Sequence, residues 1–178
     1  MGDRCSVTVT LHGHIETIEV FKEVVEAIHS ELLVFDSNAR EVATAMREAA
    51  EDNTNPYFEA DEVNYGNIEP LEDVLKAHRI DYHVDQSNGD NYPGEARSYC
   101  SSDDSYEKSI YCFGDAVFYA NELTAAVASS DCKKFVEDLL ASADRSRGVG
   151  LPSFSLGHEV RGWLAIGGPD LEPKKETP

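Results

Sequence analysis

Residues 6–11 read SVTVTL, β-branched side chains alternating with polar ones. A period of two is the signature of a strand with one buried face. After His12-Gly13-His14 the period changes: Val20, Phe21, Val24, Val25, Ile28 and Leu32 recur at steps of three and four. That spacing predicts an amphipathic helix over 16–33. Asp36-Ser37-Asn38 offers capping chemistry for a second helix over 39–50, with Val42, Ala45, Met46 and Ala49 on its inner stripe. A strand is predicted over 57–65, and Glu69-Pro70 opens a short helix running to His78, since Pro is tolerated in a first helical turn.

Ile, Tyr and Val content marks 80–84 as a strand, followed by a turn at 87–90. Two more strands are expected within 95–113, separated by the polar run 101–105. The segment 115–128 is ambiguous, because AVFY suits a strand and ELTAAVA a helix. A helix follows over 131–143, and 154–166 is expected to add one or two terminal strands anchored by Trp163. The order of elements implies an α+β domain over 1–168, ferredoxin-like or a related sandwich of a mainly antiparallel sheet with helices on one face. The polar, Pro-bearing segment 169–178 reads as a disordered tail.

Charge changes the picture most. The chain holds 34 Asp and Glu against 15 Lys and Arg, a net charge of −19. A field of that sign repels nucleic acid and anionic membranes and attracts cationic surfaces, so neither direct nucleic-acid binding nor membrane binding is expected and a basic partner protein is the first candidate ligand. Four well-separated cysteines without a CxxC pair point to reduced, mostly buried thiols. No segment approaches the ~20 apolar residues of a membrane span, and the N-terminus lacks a secretory core, so a cytoplasmic location is expected. No G-x-S-x-G, phosphate-cradling glycine loop or H-E-x-x-H occurs. The expectation is therefore a binding protein without a cofactor rather than an enzyme.

The acids concentrate early. From Glu16 to Asp73 there are sixteen, against Lys22, Arg40 and Arg47. Glu16, Glu19, Glu23 and Glu26 fall at steps of three and four, which aligns them along one face of the first helix. Glu41, Glu48, Glu51 and Asp52 extend the trend on the second helix, Glu59, Asp61 and Glu62 on the strand after it, and Glu69, Glu72 and Asp73 on the third helix. Such runs are commonly solvated faces or adaptations to salt. These fourteen residues are the expected partner-binding set. In charge placement the chain resembles the anti-CRISPR and anti-restriction proteins encoded by phages and mobile elements, which mimic DNA. The resemblance implies an anionic surface docked into the Lys/Arg-lined channel of a host ribonucleoprotein or restriction effector, acting by occupancy in the host cytoplasm. The opening MGDRCSVTVTLHGHIETIEVFKEVVEAI is similar to that of small ferredoxin-like plasmid and phage proteins, which implies an α+β fold and no mechanism.

One alternative is a metal-dependent hydrolase. His12 and His14, with Asp81, His83 and Asp85, alternate along predicted strands and would offer oxygen and nitrogen ligands if brought together. The run 85–90 is a poor calcium loop, since Ala96 stands where the bidentate Glu belongs. Cys132 beside Asp131 reads as a buried structural thiol.

Overall fold

The computed structural model describes residues 4–32, 38–64, 66–88, 93–112 and 115–168. The alternation read in the first strand is realised in β1 (Arg4–Leu11), where Cys5, Val7, Val9 and Leu11 are buried and the residues between them are not. β1 is flanked on both sides by antiparallel partners, β3 (Tyr57–Asn64) and β4 (Tyr82–Gln86), so that Val9 lies between Phe58 and Val84. β3 and β4 thus run parallel to each other with β1 inserted between them, a split β-α-β unit closed by α3 (Glu69–Ala77). The sheet continues through β5 (Gly94–Cys100), β6 (Ser105–Cys112) and the short β7 (Asp115–Val117), in the order β3-β1-β4-β5-β6-β7.

Helices α1 (Ile18–Leu32), α2 (Ala39–Asp52) and α3 cover the apolar face of the β3-β1-β4 end. α1 packs against both α2 and α3 and buries Phe21, Val24, Val25, Ile28 and Leu32. Asn38 and Glu41 form a reciprocal capping box on α2, and Asn53 ends it in the left-handed conformation. The architecture is α+β, as the element order implied. The helices do not all lie on one face, as the expected sandwich had them. α5 (Cys132–Ser146), preceded by α4 (Ala120–Ala128), lies on the opposite face over β5 and β6, because Ser98, Glu107 and Tyr111 alternate to that side and bond Arg145, Ser142 and Ala143.

The C-terminal segment differs from the expected strands. Only β8 (Ser155–Leu156) is extended, pairing in parallel with β2 (His14–Ile15), and α6 (His158–Ala165) follows. Val160, Trp163 and Leu164 are spaced for one helical face, and Gly157 supplies the extended N-cap. The Trp163 ring meets Phe21 edge-on at 6.2 Å, under the Lys22 ammonium. The ambiguous stretch 115–128 resolves as β7 followed by α4. The strand expected over 80–84 begins two residues later, with Ile80 buried in the preceding loop. Cys5 is buried, Cys100 half-buried and Cys132 exposed, so the expectation of a buried Cys132 does not hold. The tail expected over 169–178 lies outside the described residues, as does half of the 87–90 turn. Among the described residues no helix is long and apolar enough to cross a membrane.

Candidate functional site

The expected row of four carboxylates is shorter on the helix than its spacing suggested. α1 begins at Ile18, so Glu16 precedes it and accepts from His14 Nε2 at 2.6 Å, while Glu19, Glu23 and Glu26 project from the helix itself. All four are exposed. Glu23 also reaches His78 at the end of α3, 2.8 Å away. Glu69 and Asp73 are exposed on α3, and a groove of about 410 Å³ between the two helices is bordered by Glu23, Glu26 and Glu31. α1 gives this groove its carboxylates, and α3 borders it with Pro70 and Val74.

The remaining acids divide. Glu41, Glu48, Glu51 and Asp52 are exposed on α2, although Glu41 is engaged in the cap, and Glu48 and Glu51 lie 3.9 and 3.6 Å from the Arg47 guanidinium. Glu59 and Asp61 face the other side of the sheet, level with Thr8 and Ser6, and Asp61 accepts the Ser6 hydroxyl at 2.6 Å. The side chain of Glu62 lies outside the described residues. Glu72 is a correction: it is buried against Tyr82 and Arg97, because it stands beside Leu71 and one turn from Leu75 on the inner face of α3. Turned inward, it has little surface to offer a partner.

Arg97 went unnoticed in sequence reading. Its guanidinium lies 3.1 Å from Glu72, 3.2 Å from Glu95 and 3.1 Å from the Gly66 carbonyl, beneath a basin of about 750 Å³ that Lys76, Tyr106 and Lys108 help to line. A cation at the centre of a strand, between Ala96 and Ser98, was the available signal, since burial there demands a counter-charge.

The five residues of the alternative metal cluster are not assembled. Thr10 pairs with His83 across β1 and β4, which brings His12 and His83 together, with Nε2 and Nδ1 3.0 Å apart. Asp85 lies 3.6 Å from the far nitrogen of His83. His14 turns away to Ser155 and Glu16, and Asp81 accepts the Ser101 amide at 2.6 Å. Asp81 also crowds Gly13, where a Cβ would stand 2.5 Å from its carboxylate and φ is +77°. Among the described residues no three His, Cys, Asp or Glu side chains group to hold a metal ion.

The histidine pair has a fixed direction. The Pro152 carbonyl can only accept, so His12 Nδ1–H donates to it, leaving His12 Nε2 to accept from His83 Nδ1–H. The second nitrogen of His83 then faces Asp85. Gly148, at φ +78°, lets the loop after α5 pass over the ring, since a Cβ there would lie 2.5 Å from His83 Nδ1. Burial pushes both imidazoles below their usual range. For His12 the Pro152 carbonyl and Asp81 oppose this and His83 adds to it; for His83 Asp85 opposes it and Arg147 adds to it.

A pH dependence follows with a definite sign. As pH falls through ~6.5 the unfolded chain protonates these histidines while the folded chain resists, so their contribution is intact above that pH and is lost below it, by up to ~1.4 kcal/mol per pH unit for each proton withheld. The urea midpoint of the wild type should fall from pH 7 to pH 5.5 by more than that of His12→Gln/His83→Gln. Equal changes in the two proteins would assign the acid sensitivity to other groups.

No protein-family model matches the chain, and no curated protein or solved structure shows significant similarity to it.

Proposed function

We propose that this is an acidic binding protein whose α1–α3 surface engages a basic nucleic-acid-binding protein and occupies the cationic track that would otherwise hold nucleic acid. The observation that carries the reading is the alignment of the exposed Glu19, Glu23 and Glu26 along α1, with α3 and its exposed Asp73 packed against that helix. Steps of three and four residues space the α1 carboxylates by about 4.5–6 Å along the axis, the order of the ~3.4 Å phosphate repeat of a nucleic-acid strand. Neighbouring like charges cost a helix a few tenths of a kcal/mol per pair. The net charge of −19 adds long-range attraction toward a cationic partner. The likeness in charge placement to phage and mobile-element inhibitors directs the search to CRISPR and restriction effectors.

The test is capture of such an effector on the immobilised protein, followed by elution with salt and with competing DNA. Reversing Glu19, Glu23, Glu26 and Asp73 to Lys should lower affinity for the captured effector at least ~100-fold, since like charges across an interface cost several kcal/mol. Reversing Glu59 and Asp61, on the opposite side of the sheet, should change it less than about threefold, as expected of charges outside the contact. Equal losses in both variants would reduce the effect to net charge. Retention of the effector by the α1–α3 variant would overturn the reading.

A further inference from the structure

The helix pair on the back of the sheet buries unusually little of its own apolar surface. α4 buries Ala126, and α5 buries Ala143 and Ser146. Leu123 and Val127, one turn apart on α4, are 48% and 79% exposed, and Val136 and Leu140, one turn apart on α5, are 38% and 50% exposed. α4 packs on α5, and Tyr119 at the start of α4 and Val117 on β7, the end strand of the sheet, continue the exposed set. Six of the ten exposed large hydrophobic side chains among the described residues thus fall between 117 and 140. Exposed apolar side chains gathered in this way often mark an interaction site.

We infer that this face is where a second copy of the chain docks, through a two-fold pairing of the α4–α5 hairpins. Charge selects the occupant. Residues 115–150 hold six acids and four bases, −2 of the chain's −19, so two such molecules meet less repulsion here than across the acidic helices. A basic partner would be drawn to the acidic helices on the other side of the sheet. A two-fold axis also matches each exposed apolar stripe with an identical one, the self-complementarity that isologous dimers require. Helices of nine and fifteen residues side by side, with β7, offer roughly 500 Å² per copy, hence about 1,000 Å² in all. That is the lower bound for a biological interface, the size class of weak and reversible association. The inference is independent of the acidic-surface reading, because its interface lies on the opposite side of the sheet and its salt dependence has the opposite sign.

Sedimentation equilibrium of the full chain from about 1 to 200 µM is the test, a range centred on the weak affinity implied by so small an interface. The mean mass should climb from 19.6 kDa toward twice that value. Raising NaCl from 50 to 500 mM should lower the dissociation constant about fivefold or more, by screening repulsion between two anionic copies. Val127→Glu and Leu140→Glu, each made at an exposed position and checked by circular dichroism, should each raise it at least tenfold. A constant mass of 19.6 kDa in the wild type would overturn the inference, as would association indifferent to both substitutions. The wild-type measurement needs no variant to fold, and the α1–α3 charge reversal should leave the dimer in place.

Discussion

Glu72→Ala should destabilise the protein by about 3–5 kcal/mol, the usual cost of removing one member of a buried ion pair. The side chains of Glu72 and Arg97 are 9% and 6% exposed, and one carboxylate oxygen accepts from both Arg97 Nε and the Tyr82 hydroxyl at 3.1 Å. Removing the carboxylate leaves a largely buried guanidinium and phenol without their shared acceptor. Glu95, 3.2 Å from Arg97, supplies partial compensation and places the expected loss toward the lower end of the range. Tyr82 stays a neutral donor throughout, since burial first and the Glu72 charge second raise its phenol well above the ordinary range. Urea unfolding of Glu72→Ala, Arg97→Met and Glu72→Leu/Arg97→Met would separate the terms. The double variant should recover much of the loss, because an apolar pair of similar volume often replaces a buried ion pair at little net cost. A loss under about 1 kcal/mol in Glu72→Ala would place the network among exposed, screened pairs instead.

Phe21→Ala should cost about 3–5 kcal/mol, the range for emptying an aromatic site in a packed core. Phe21 is fully buried and meets the Trp163 ring at 6.2 Å and 69°, so the cavity would open where α1 docks onto α6. Trp163 is the single tryptophan, and its fluorescence should report both the new cavity, as a red shift, and the earlier unfolding midpoint. Because Glu19, Glu23 and Glu26 leave the other side of α1, the folded fraction should keep whatever binding the proposed acidic surface gives the wild type. The substitution therefore separates stability from recognition. An unchanged unfolding midpoint would mean that the α1–α6 junction is repacked at no cost.

Elements were legible wherever one local period ran long enough. Val7, Val9 and Leu11 alternate cleanly, and Phe21, Val24, Val25, Ile28 and Leu32 hold a helical stripe for fifteen residues, so β1 and α1 could be read directly. α6 was obscured because eight residues give only two turns of pattern, and Phe154, Leu156 and Trp163 suit a strand equally well. The acids were visible as a charge excess, whereas their faces were not. Glu72 differs from Glu69 and Asp73 only in angle around α3, and that angle was readable from Leu71 and Leu75 once they were taken as the inner stripe. The His12–His83 pair lies 71 positions apart and depends on the register of β1 against β4. Alternation tells which face a residue occupies and is silent on which neighbour it meets.

The insertion of β1 between β3 and β4 has a consequence for biosynthesis. β1 is the earliest of the three to leave the ribosome, yet it ends as the middle strand, and its second partner finishes at Gln86. At ~5–20 residues per second the nascent chain waits several seconds for that partner. Over this interval α1 and α2 can shield Val7, Val9 and Leu11, while the backbone groups along at least one edge of β1 stay open to other chains. Final assembly is thus controlled by pairings distant in sequence, the class of contact that slows folding most. A chain interrupted before Gln86 would keep that open edge permanently, so intact translation through β4 is what separates a β1 paired on both sides from an aggregation-prone fragment.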